Sequence, residues 1–185
     1  MPRASELMTL AIERGASDIH LNPGRPPVIR VNGRLVHLSE DVLSDGDCEL
    51  LCQELCSERQ WAEVERVGTT DFGLTHGSGD RFRASVMRQR GRHSAVLRLI
   101  PSRLLSFDQI GRPAACRELL GRTRGLILVT GPTGSGKTTT LATMVDWINR
   151  NLDRHIVTVE DPIEYYHEHH QSLVTQREVG VDVPD

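Results

Sequence analysis

Hydrophobic and polar positions change period several times along the chain, and each change predicts an element. Over 5–14, Leu7, Met8, Leu10 and Ala11 form one apolar helical face, with Ser5 placed to cap the helix and Gly15 to end it. Residues 18–21 alternate polar and apolar, and Pro23, Gly24, Pro26 and Pro27 then break regular structure. Runs at 28–31 and 34–38 are joined by Asn32-Gly33, a hairpin signal. Cys48, Cys52 and Cys56 recur every four residues with Leu51 and Leu55 beside them, which predicts one amphipathic helix over 44–67. Strands follow over 70–74, 81–89 and 94–99, with turns at 77–80 and 90–92. Mixed helix and strand make residues 1–100 a compact α+β domain. Residues 101–113, with two prolines, a glycine and no sustained period, read as a linker.

Beyond the linker the pattern is different. Leu126-Ile127-Leu128-Val129 is a continuous apolar run, which predicts a strand buried on both faces. A glycine-rich turn leads into a helix over 136–150, with Leu141, Met144, Val145 and Ile148 on one side. Ile156-Val157-Thr158-Val159 predicts a second buried strand. Strand, helix, strand is a βαβ unit, so residues 114–185 read as α/β with a parallel sheet.

Composition narrows the function classes. The chain has 185 residues, 22 Lys plus Arg and 25 Asp plus Glu, for a formal charge of −3, which argues against a strongly basic nucleic-acid binder. No apolar run approaches the roughly 18 residues that cross a bilayer. The N-terminus lacks the apolar stretch of a secretory signal, so the expected compartment is reducing and the cysteines are expected to be free. Cys48, Cys52 and Cys56 then read as small buried hydrophobes, because no second cysteine pair completes a metal knuckle.

Residues 131–138, Gly-Pro-Thr-Gly-Ser-Gly-Lys-Thr, fit the phosphate-binding pattern G-x-x-x-x-G-K-[ST]. Gly131, Gly134 and Gly136 allow the sharp turn that aims backbone N–H groups at phosphate oxygens. The following helix adds its N-terminal partial charge, Lys137 reaches the β and γ phosphates, and Thr138 offers its hydroxyl to Mg²⁺. The pattern follows an apolar strand and opens a helix, as that chemistry requires. Glu160, Asp161 and Glu164 lie just past the second predicted strand, where open α/β sheets bind ligands. Alone, they read either as the acidic Mg²⁺ strand of such enzymes or as a solvated loop. Arg81, Arg83, Arg88, Arg90, Arg92 and Arg98 read as a solvated basic face or as a surface for nucleic acid or acidic lipid.

Three further stretches make the chain recognisable: 131–142, His-Ile-Val-Thr-Val-Glu-Asp-Pro-Ile-Glu-Tyr (155–165) and Gln-Arg-Glu-Val-Gly (176–180). With Gly-Ala-Ser-Asp-Ile-His-Leu (15–21) and Pro-Pro-Val-Ile-Arg-Val-Asn-Gly (26–33), they resemble the secretion and type IV pilus ATPase superfamily, in its pilus-retraction branch. The resemblance implies a PAS-like α+β domain over 1–100 and, over 114–185, the first part of a RecA-like ATPase domain. It implies a homo-hexameric motor for pilus retraction (twitching motility) or related secretion, with ATP and Mg²⁺ between the domains. Gly131, Pro132, Thr133, Gly134, Ser135, Gly136, Lys137, Thr138 and Thr139 would hold the nucleotide, and Thr138 the metal. Residues 155–165 match the family's aspartate box, so Glu160, Asp161 and Glu164 would flank the metal and attacking water. This replaces the acidic-strand reading. Arg83 and Arg98 would reach the nucleotide phosphates. His167 matches one family histidine, His169 and His170 read as solvated, and His20 as structural.

The same resemblance sets further expectations. The partner would be an inner-membrane platform protein of a pilus or secretion machine, with neither nucleic acid nor direct membrane insertion involved. The location would be cytoplasmic, peripheral at that membrane. The family's Walker B and histidine boxes follow the aspartate box and are absent here, so the chain is expected to be truncated, marginally stable and poorly active on ATP. The alternative is a non-catalytic nucleotide-binding or regulatory module. A P-loop kinase or GTPase is weaker, and the missing Asn-Lys-x-Asp signature favours adenine.

Overall fold

The computed structural model describes residues 3–77, 79–100, 104–111, 114–132 and 134–184, the side chains of 114 and 115 aside. Two units emerge, Met1–Pro101 and Ser102–Asp185.

In the first unit, α1 (Ala4–Glu13), β1 (Asp18–Leu21), β2 (Val28–Val31) and β3 (Arg34–His37) are followed by α2 (Asp45–Leu55) and α3 (Glu58–Val67), then β4 (Thr69–His76), β5 (Asp80–Gln89) and β6 (Arg92–Ile100). The six strands form one antiparallel sheet in the order β3-β2-β1-β6-β5-β4. Asn32 and Gly33 both have positive φ, as the two-residue hairpin turn requires. Register puts Ile29, Ile19, Leu97, Ala84 and Phe72 in one row on one face. That face carries the core, completed by Leu7, Met8 and Ala11 of α1, Cys48, Leu51 and Cys52 of α2, and Val64 of α3.

Two helix expectations change. Ser5 lies inside α1, whose N-cap is Arg3. The single helix expected over 44–67 is two helices. Cys56 is extended, and Ser57 starts α3 through a capping box with Gln60, so a local hydrogen-bond pair interrupts the cysteine stripe. Cys48 and Cys52 are buried, and Cys56 is half-buried at the α2 terminus.

The opposite face carries a charged row. Arg30, Asp18, Arg98 and Arg83 stand opposite one another across β2, β1, β6 and β5. Asp18 is buried and accepts from Arg30 Nε (3.1 Å), Arg98 Nε (3.0 Å) and Ser17 Oγ (2.8 Å). Burial by itself would raise its pKa. The Arg98 and Ser17 hydrogen bonds, with the Arg98 and Arg30 charges, outweigh burial and hold the carboxyl below its ordinary value of 3.8.

The second unit holds α4 (Ala114–Leu120), α5 (Lys137–Asn151), β7 (His155–Glu160) and β8 (Leu173–Glu178), with β7 and β8 paired in parallel. The chemistry-bearing helix and strand lie where the apolar pattern puts them, but their burial differs. Residues 125–130 form no strand, and Leu126 is 82% and Leu128 74% exposed. An apolar run is buried only where neighbours cover it, and among the described residues none pairs with this one. Val157 and Val159 of β7 are also exposed, although that strand pairs with β8. On α5 the buried positions are Thr140, Ala142, Thr143 and Asn149; Leu141 is exposed, and Met144, Val145 and Ile148 are only half-buried. Asn149 donates to Glu168 O (2.6 Å) and accepts from His170 N (3.1 Å), tying the helix to the loop before β8. In the stretch read as a linker, Phe107 is buried beside Trp147, while residues 101–103, 112 and 113 lie outside the described residues. Among the described residues no helix is long and apolar enough to cross a membrane.

Two outcomes follow from the first unit. Asp18 has a lowered pKa in the folded state, so its stabilisation is complete above its unfolded value near 3.8 and disappears as pH falls through the folded one. Asp18→Asn is expected to cost about 2 kcal/mol at pH 7, the scale of hydrogen bonds to charged groups. Urea unfolding should show that difference closing below about pH 4. Burial raises the Cys48 and Cys56 thiols to about 11 and Cys52 to about 12. Ellman's reagent at pH 7.5 should therefore leave these three unmodified in the folded chain and label them after denaturation.

Candidate functional site

The loop at 131–136 owes its shape to residues without a Cβ. Gly131, Gly134 and Gly136 have φ of +153°, +79° and +85°, values that other residues rarely adopt. A Cβ on Gly131 would stand 2.7 Å from Ser135 Oγ. Ser135 N donates to Pro132 O (3.2 Å), closing the turn, and Gly136 is the N-cap of α5. Lys137 Nζ folds back and donates to the Gly131 and Pro132 carbonyls, both at 3.0 Å. The ammonium is thus held over the loop by two replaceable neutral acceptors. Thr139 sits one turn into the helix, with Oγ1 3.4 Å from Tyr165 Oη. Thr133 lies outside the described residues.

The acidic segment meets this helix in one cavity of about 380 Å³, whose lining includes Thr138, Glu160, Asp161, Glu164 and His167. A hydroxyl-bearing and three carboxyl-bearing residues thus line one cavity beside the first turn of α5, and hard oxygen donors are the kind Mg²⁺ takes. The segment is pinned rather than loose. Ile163 N donates to Glu178 Oε2 (3.1 Å), and Gln176 Nε2 donates to Tyr165 O (2.8 Å). Glu160 Oε1 accepts from Thr158 Oγ1 at 2.7 Å and Gln176 Nε2 at 3.0 Å.

Arg83 and Arg98 belong to the first unit, where they are direct cross-strand partners on β5 and β6. Arg98 is engaged by Asp18. Of the histidines, His167 has Nδ1 buried without a partner among the described residues, and burial pulls its pKa down against the opposing charges of Asp146 and Glu160. His169 Nδ1 accepts from Val174 N, so this ring is a structural tie. Burial also lowers the His20 pKa. Among the described residues no three His, Cys, Asp or Glu side chains are grouped to hold a metal by themselves.

Sequence reading missed Thr158, Gln176 and Asp18. Thr158 was detectable, since a strand's period of 2 puts it on the face of Glu160. Gln176 was not, because its partner is 16 residues away along the chain.

Comparison with known proteins places this geometry in a family. The family model for type II/IV secretion system proteins matches residues 2–185. The Pseudomonas aeruginosa protein named Type IV pilus retractation ATPase PilT is 40% identical over 178 residues, covering 96% of this chain and 52% of that protein. The crystal structure of the pilus retraction motor PilT with bound ADP superposes with a TM-score of 0.95 at 43% identity, covering 100% of this chain and 54% of that one. The Legionella pneumophila ATPase DotB, 24% identical, shares the fold with a TM-score of 0.82 over 97% of this chain and 52% of its own. The chain therefore spans about half the length of the relatives it matches. With the match extending over nearly every residue, the chain belongs to the type II/IV secretion system protein family.

Proposed function

We propose that the chain is the nucleotide-binding part of an ATP-driven motor subunit for type IV pilus retraction or a related secretion step. The observation that carries this reading is the cavity that brings Thr138, at the head of α5, together with Glu160, Asp161 and Glu164. The likeness to ADP-bound PilT supports it. The residues fit such a ligand: the glycine loop holds Gly131 at a φ of +153° that other residues rarely adopt, and the neighbouring oxygen donors are those Mg²⁺ prefers.

In this reading the Met1–Pro101 unit is a PAS-like domain and the Ser102–Asp185 unit the first part of a RecA-like domain. Gly131, Pro132, Gly134, Ser135 and Gly136 turn backbone N–H groups toward the phosphates, with Thr133 in the same loop. Lys137 exchanges its two carbonyl acceptors for phosphate oxygens. Thr138 would hold the metal, and Thr139 would join it in binding the nucleotide. Glu160, Asp161 and Glu164 would flank the metal and the attacking water, and Arg83 and Arg98 would supply positive charge to the phosphates. Mg²⁺, when bound, supplies positive charge against the phosphate oxygens. Six copies form the ring, at the cytoplasmic face of the inner membrane, through a platform protein of the pilus or secretion machine.

Calorimetric titration with ATP and Mg²⁺ tests the reading. Lys137→Ala is expected to weaken binding at least about tenfold, roughly 1.4 kcal/mol, with an unchanged circular dichroism spectrum. Gly131→Ala should do the same, since a Cβ is strained at its φ of +153° and would also force the Ser135 hydroxyl aside. Full affinity in Lys137→Ala would overturn the assignment. A phosphate-release assay separates a motor subunit from a module that binds nucleotide without turnover.

A further inference from the structure

Thr158 and Gln176 stand opposite each other in the parallel ladder, so their side chains share one face of the β7–β8 sheet. Glu160, two residues beyond Thr158, lies on that same face. Both neighbours donate to one atom: Thr158 Oγ1 reaches Glu160 Oε1 at 2.7 Å and Gln176 Nε2 reaches it at 3.0 Å. Among the described residues no donor reaches Oε2, and Glu160 lines the cavity that also contains Thr138. The Gln176 amide is itself immobilised. Its Nε2 also donates to Tyr165 O (2.8 Å), and its Oε1 accepts from His167 N (2.7 Å). Both amide hydrogens and one acceptor site are therefore used, which leaves the group no freedom to flip.

A carboxylate with one oxygen tied by two neutral donors loses its rotamer freedom and has the other oxygen available. We propose that Thr158 and Gln176 are positioning residues that lock the Glu160 carboxylate through Oε1, so that Oε2 is presented to the divalent cation, or its bound water, that accompanies nucleotide. The inference rests on the nucleotide reading of this cavity. Gln176 also braces the 165–167 backbone, so its loss alone could act through the loop. Thr158 supplies the separation, because among the described residues its hydroxyl bonds only Glu160. Thr158→Val preserves shape and removes that single donor.

The test is the affinity of the whole chain for a fluorescent N-methylanthraniloyl ADP, measured in EDTA and in Mg²⁺. The unsubstituted chain should bind more tightly with Mg²⁺. Thr158→Val and Gln176→Leu should each reduce that gain about tenfold, the scale seen when outer-shell partners of metal ligands are removed. Affinity in EDTA should stay within about twofold. Glu160→Gln should lose the same gain, and adding Thr158→Val to it should change nothing further, as expected for residues acting through one group. If Gln176→Leu fails to fold, Thr158→Val carries the test. The inference is overturned if both variants keep the full Mg²⁺ gain, if they lose affinity equally with and without metal, or if the Thr158→Val effect persists in the Glu160→Gln background. An unsubstituted chain that binds nucleotide with no gain from Mg²⁺ also overturns it, while leaving the nucleotide reading intact. No nucleotide binding at all overturns that reading itself.

Discussion

The parallel pairing of β7 with β8 is the constraint on which the site depends. It sets Gln176 against Thr158 and Glu178 against Glu160. Two side chains of β8 can then reach the segment that leaves β7: the Gln176 amide holds Tyr165 and His167, and the Glu178 carboxylate holds Ile163. Farther along the same loop, Asn149 secures Glu168 and His170 to the end of α5. The helix that begins at the glycine loop is thereby connected to the acidic turn through a series of hydrogen bonds. Such networks specify one geometry because each unmade bond would leave a buried polar atom unpaired. The cavity wall thus combines these hydrogen bonds with an apolar lining from Leu141, Ala142, Val145, Val159 and Pro162.

The first unit uses the opposite arrangement. One sheet face is closed by three helices over an apolar core, and the other carries the row Arg30, Asp18, Arg98 and Arg83. Asp18 could not be buried there without partners, since an unpaired buried carboxylate would simply take up a proton. Its two arginines keep it ionised, and in return it orders the Arg98 guanidinium. An arginine already held in place loses less side-chain entropy when it meets a second anion. The core and the charged row together make a sheet on which Arg30, Arg98 and Arg83 stand at fixed register.

Much of this was readable residue by residue. Asn32-Gly33 announced its hairpin, and the ends of β1 and β2 follow from period-2 alternation bounded by glycine and proline. The break between α2 and α3 was also written in the chain, as Ser57-x-x-Gln60, but the stripe of Cys48, Cys52 and Cys56 concealed it. Periodicity reports a preference averaged over turns, whereas a capping box is a local bond that stops the helix at one residue. β8 gave no comparable signal, because Leu173–Glu178 is mostly polar and is a strand only through its pairing with β7. The α5 stripe misled for a related reason: its buried face is chosen by Leu105, which accepts from Thr143, and by the 168–172 loop, rather than by its own leucines and valines.

What the sequence by itself determined is whatever depends on adjacent residues. Positive φ at Gly131, Gly134 and Gly136, the ammonium of Lys137 one position later, the caps at Ser44 and Ser57, and the placing of three carboxyl groups at and just past the end of a strand are all local properties. Only the tertiary structure decided which apolar runs are covered, since burial belongs to a residue's neighbours, and it left Leu126 and Leu128 exposed. It alone decided which oxygen of Glu160 is tied and which stays available. That choice is made by Gln176, a residue 16 positions distant, and no periodicity records a hydrogen bond between two strands.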